Sequence, residues 1–126
     1  MHKAYSHKDF NEKEKEKIDL YIDLALNFNK THNLFVRKNK SEVFNNDIMD
    51  CAQIIPMIKT NKTVADLGSG AGLPGILLSI TKPQNKITLI ESNQKKCYFL
   101  RSVVHALELK NTIILNKTLA EENDLG

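Results

Sequence analysis

Gly68, Gly70 and Gly72 separate a short run, Val64 to Leu67, from a second one, Leu73 to Ile80, which holds a fourth glycine, Gly75. Two carboxylates frame them. Asp66 lies near the end of the first run, and Glu91 follows Ile87-Thr88-Leu89-Ile90. A strand that feeds a helix through residues lacking Cβ lets a ligand approach the backbone and allows positive φ. The helix start beyond it offers unpaired N–H groups and a partial positive charge. A carboxylate such as Glu91 can accept from both hydroxyls of a ribose, one on each oxygen. The chemistry implied is the binding of a nucleoside-like cofactor.

Two cofactor classes fit the spacing. Gly70 to Gly75 reads G-x-G-x-x-G, the dinucleotide fingerprint. From Asp66 the same stretch reads D-x-G-x-G-x-G, the pattern of methyltransferases that use S-adenosylmethionine (SAM). Asp66 favours the second, because a carboxylate beside a pyrophosphate repels it. SAM carries no phosphate, and its ammonium and sulfonium are drawn to an anionic mouth. Asp66 is therefore expected at the methionine end of SAM, directly or through water. Nicotinamide dinucleotide binding is the less favoured alternative.

Positioning these groups requires an α/β frame. Val64 to Leu67 reads as the first strand and Leu73 to Ile80 as a helix that stops before Pro83, since the residue ahead of proline disfavours αR. Ile87 to Ile90 is the second strand. A helix capped by Ser92 or Asn93 then runs from Gln94 to about Leu109 on a stripe of Cys97, Leu100, Val103, Val104 and Leu107, and Thr112 to Leu115 is a third strand. Strand-helix-strand-helix-strand with short loops implies parallel strands. Upstream, Glu12 to about Asn29 is an amphipathic helix with Ile18, Tyr21, Ile22, Ala25, Leu26 and Phe28 inward. Ser41 is the expected cap of another, from Glu42 to about Cys51, continuing or kinking near Pro56. The chain thus divides into a helical segment, 1–60, and the first half of a Rossmann-like domain, 61–126.

The whole chain sets bounds. Its 126 residues are 41% hydrophobic and 26% charged, ordinary for a soluble globular domain. No apolar run approaches membrane-spanning length, and the polar N-terminus lacks a secretory core. Cys51 and Cys97 have no metal or redox spacing and read as reduced thiols, which implies a cytoplasmic location. The four histidines are scattered, so no metal site is expected. The net charge of +3 permits an anionic partner without arguing for one. Lys95, Lys96 and Arg101 flank the second of the connecting helices and could touch phosphate, but ordinary solvated side chains are the favoured reading.

DLGSGAGLPGILLSI followed by LIESNQKKCYFLR resembles the RsmG (GidB) family of small-subunit ribosomal RNA methyltransferases, with the L-P-G continuation the distinctive part. Asn29-Lys30-Thr31-His32-Asn33-Leu34 is similar to that family's N-K-x-x-N-L segment. The resemblance implies a class I SAM-dependent methyltransferase fold with N-terminal helices and methylation of guanine N7 in 16S ribosomal RNA. It implies SAM as cofactor and the small ribosomal subunit as partner of a monomeric enzyme. Gly68 and Leu73 would line the SAM site, Gly70 and Gly72 would shape it, and Glu91 would hold the ribose. Leu119-Ala120 or Ala120-Glu121 would frame the adenine. No catalytic residue is named, because guanine N7 attacks without a general base.

The sequence departs from the family pattern in three places. Asp47 stands where the family has histidine, and Thr118 where it has arginine. The chain also stops where the family continues, so only three strands of a larger sheet are legible. An isolated chain of this length is expected to be marginally folded and inactive. A SAM- or RNA-binding remnant without catalysis is the alternative reading.

Overall fold

The computed structural model describes residues 5–34, 39–68 and 70–117. Helix α1 (Glu12–Asn29) begins with a reciprocal cap: Asn11 Oδ1 accepts from the Glu14 amide and Glu14 Oε1 accepts from the Asn11 amide, each at 2.8 Å. Ile18, Tyr21, Ile22 and Ala25 form its buried stripe, while Leu26 and Phe28 are half-buried against the same core. The alternating charges at its start are solvent-facing, as in the Lys15–Glu12 pair at 3.5 Å. A second helical run holds α2 (Lys40–Glu42), a π-helical stretch (Val43–Ile48) and α3 (Met49–Ala52), and a 3-10 turn (Ile55–Met57) follows at Pro56. Its cap is Asn39, whose Oδ1 accepts from the Glu42 amide at 2.9 Å, and not Ser41.

Among the described residues three strands follow: β1 (Thr63–Leu67), β2 (Lys86–Glu91) and β3 (Thr112–Asn116). They pair in parallel in the order β1-β2-β3 with β1 at an edge, and Leu67 lies opposite Ile90 while Glu91 lies opposite Asn116. The arrangement fits an incomplete Rossmann-like sheet of the class I type. Helices α4 (Gly75–Thr81) and α5 (Gln94–Ala106) connect the strands and pack on them, with α1 laid against both helices. Side chains alternate across a sheet. Val64, Ile87, Leu89 and Ile114 accordingly face this helical layer, whereas Leu67 (52% exposed) and Ile113 (57% exposed) stand on the other face. The helical segment and the sheet share one core, which joins Ile18, Tyr21 and Ile48 to Ile76, Leu89 and Leu100.

Both helices that connect the strands differ in their bounds from the sequence reading. Helix α4 starts at Gly75, with Pro74 as its N-cap, and not at Leu73. Helix α5 stops at Ala106 because Glu108 takes φ 54, closing a Schellman motif: the Glu108 amide donates to His105 O at 3.2 Å and the Leu109 amide to Val104 O at 3.0 Å. Buried Leu109 supplies the apolar contact that accompanies such an end. Among the described residues, no helix is long and apolar enough to cross a membrane.

Candidate cofactor-binding turn

The turn leaves β1 at Gly68, whose amide still donates to Ile90 O at 2.8 Å, so its first residue is fixed by the sheet. Its glycines do two different jobs. At Gly72, with φ +95, a Cβ would sit 2.7 Å from both Ile76 Cγ1 and Leu100 Cδ2, so this glycine lets the turn seat against the core. At Gly68, with φ +69, a Cβ would meet none of the described residues within 4 Å. The turn is therefore closely packed below and open above, the shape a backbone-contacting ligand needs.

Both carboxylates bind the turn's own amides. Asp66 Oδ2 accepts from the Gly75 amide at 3.0 Å, at the first residue of α4. Pro74 before it has no N–H, so the free amides expected at this helix start are partly consumed. Glu91, buried at the end of β2, bridges two loops: Oε1 accepts from the Gly70 amide at 2.7 Å and Oε2 from the Asn93 amide at 2.8 Å. Asn93 in turn caps α5 by accepting from the Lys96 amide at 3.0 Å. The Cys97 thiol donates to Glu91 O at 3.1 Å, and burial pushes its pKa up.

The structure thus brings together Asp66, Gly68, Gly70, Gly72, Leu73 and Glu91 around one turn. Leu119, Ala120 and Glu121, and with them Thr118, lie outside the described residues. Sequence reasoning placed Tyr21 in the core and missed its link to this site. Its hydroxyl donates to Ala71 O at 2.6 Å, tying α1 to the turn fifty residues away. A signal for it existed, since a phenol on a buried stripe needs a hydrogen-bond partner. Burial raises the Tyr21 pKa strongly, helped by Cys51 and Asp47, so the hydroxyl stays protonated and a donor. Burial also pushes the Cys51 thiol up to about 11, with Asp50, Asp47 and Asp66 adding to the effect. Among the described residues, no group of His, Cys, Asp and Glu could hold a metal ion.

Residues 14–125 match the family model GidB, described as rRNA small subunit methyltransferase G. The chain belongs to the GidB family. It is 40% identical over 121 residues to a protein named Ribosomal RNA small subunit methyltransferase G from Mycoplasma mycoides, covering 95% of this chain and 88% of that protein. The same name belongs to a Psychrobacter protein, 38% identical over 103 residues, covering 82% of this chain and 45% of that one. It also belongs to a Xanthomonas euvesicatoria protein, 44% identical over 91 residues, covering 72% of this chain and 42% of that one. This GidB-family chain therefore spans most of its Mycoplasma mycoides relative and less than half of the other two.

Proposed function

We propose that this GidB-family chain binds SAM at the Gly68–Gly75 turn and serves methylation of guanine N7 in 16S ribosomal RNA. The observation that carries the cofactor choice is Asp66 Oδ2 on the Gly75 amide at 3.0 Å. A dinucleotide fold directs the amides at this helix start to a pyrophosphate. Here a carboxylate already occupies one of them, and its charge opposes a dianion. The open side of Gly68 and the acidic pair Asp66 and Glu91 suit a cationic nucleoside.

In this reading Glu91 holds the ribose hydroxyls and Asp66 supplies negative charge for the methionine end. Gly68 and Leu73 line the site while Gly70 and Gly72 shape it, and a pair within Leu119, Ala120 and Glu121 frames the adenine. SAM, when bound, supplies an electrophilic methyl group. Guanine N7 presents an unprotonated lone pair at neutral pH, so the protein's work is to align the partners and no proton acceptor is assigned. We place the chain in the cytoplasm, as a monomer acting with the small ribosomal subunit.

The test is thermal unfolding with SAM, S-adenosylhomocysteine or NADH, paired with methyl transfer from labelled SAM to small subunits lacking the modification. Stabilisation by SAM and S-adenosylhomocysteine is expected, and Glu91→Gln is expected to abolish it. A glutamine has one acceptor oxygen for two backbone donors. Label at guanine N7 supports the whole reading. Binding without transfer reduces it to a SAM-binding chain, and stabilisation by NADH alone overturns it.

A further inference from the structure

The outer face where α1 meets α5 carries a groove of about 400 Å³ lined by Leu24, Asn27, Phe28, Lys30, Tyr98 and Phe99, among others. Its floor is an aromatic stack. Phe28 and Phe99 lie 4.9 Å apart at 29°, and His32 lies on Phe28 at 4.5 Å and 17°. Its rim is Tyr98, 72% exposed, an aromatic that the core does not need. None of the described residues lining it is Asp or Glu. Helix α5 carries Lys95, Lys96, Arg101 and His105 with no acidic residue between Gln94 and Ala106. Lys95 and Arg101 stand three residues either side of Tyr98 and so share its face. Two acids of α1, Asp19 and Asp23, are held elsewhere by Lys40 at 2.7 and 3.0 Å.

We propose that this groove is a docking surface for an unpaired RNA segment, with one base stacked on Tyr98 and its phosphates along Lys30, Lys95 and Arg101. The inference rests on the reading that the substrate is RNA, and adds where a strand is gripped. Aromatic faces flanked by cations, without competing carboxylates, are the chemistry of single-strand binding. Position supports it too. Phe28 lies seven residues beyond Tyr21 on α1, about 10 Å along the helix, and Tyr21 holds the cofactor turn through Ala71. A strand held in the groove is thereby led toward the methyl donor.

The experiment measures binding of a fluorescent, unstructured RNA oligonucleotide at one fixed ionic strength to the wild-type chain, Tyr98→Ala and Tyr98→Trp. SAM-dependent thermal stabilisation is recorded in parallel. Tyr98→Ala is expected to weaken RNA binding about tenfold, the effect of one lost base stack. Tyr98→Trp is expected to retain binding, with SAM stabilisation the same in all three. Arg101→Ala is expected to weaken binding and to reduce its salt dependence. RNA binding by Tyr98→Ala equal to wild type overturns the groove and leaves the methyltransferase reading standing. A Tyr98→Ala chain that loses RNA and SAM together also overturns it, since Tyr98 would then act through the fold. No RNA binding by the wild-type chain at low salt removes both.

Discussion

The hydroxyl of Tyr21 donates to the carbonyl oxygen of Ala71 at 2.6 Å, joining the first long helix to the middle of the glycine turn. Tyr21 is fully buried, and its ring lies 6.4 Å from that of Phe99. The helical segment is thus part of the site's scaffold. Tyr21→Phe keeps the ring and leaves the Ala71 carbonyl without this donor. A lost bond of this kind costs about 1–3 kcal/mol. Urea unfolding is expected to show that loss, and SAM affinity to fall several-fold through the turn that Tyr21 holds. Unchanged stability together with unchanged affinity would show that α1 does not hold the turn.

The glycines allow packing and access to be separated. Gly72→Ala places a methyl 2.7 Å from Ile76 Cγ1 and Leu100 Cδ2, and overpacking of this kind costs about 1–3 kcal/mol. Gly75→Ala would likewise press on Leu89 and Asp66. Gly68→Ala meets no atom of the described residues within 4 Å and bears the cost of a side chain at positive φ, about 1–2 kcal/mol. Its methyl would stand on the open side of the turn. Gly72→Ala is therefore expected to lower the denaturation midpoint more than Gly68→Ala. Gly68→Ala is expected to lose more SAM affinity than its stability change explains. Two variants that track each other in both measurements would mean that the turn has no separate ligand face.

Much of this architecture was legible because the signals were local. Val64 to Leu67, Ile87 to Ile90 and Thr112 to Leu115 are short apolar runs separated by helical patterns, and all three are parallel strands. What escaped depended on pairs distant in sequence or on backbone state. The Asn39 cap was hidden by Ser41, although Asn39 and Glu42 have capping spacing. The end of α5 was hidden because Glu108 takes the left-handed conformation usually given to glycine. Asn111 gave no hint that its side-chain amide joins Ser79, Lys82 and Asn85 carbonyls at 3.0–3.2 Å, at the sheet's lower end. At the site, residue types suggested which carboxylates matter. Only coordinates show that each already holds a turn amide.

The Cys51 thiol makes the stability of this fold depend on alkaline pH. Its ordinary pKa of 9.0 is pushed up to about 11, first by burial and then by Asp50, Asp47 and Asp66. The folded state therefore holds this proton more tightly than the unfolded chain does. The stability contributed by the protonated thiol is fully present below pH 9.0 and is lost as pH rises toward about 11. Tyr21 and Cys97 are shifted in the same direction, so the wild-type chain is expected to lose stability steadily on the alkaline side. Cys51→Ala removes one titrating group and is expected to flatten that decline in part, with its largest effect between pH 9.0 and about 11. Denaturation midpoints of the two chains across alkaline pH make the comparison. Parallel curves would show that the Cys51 proton is held no more tightly in the fold than in the open chain.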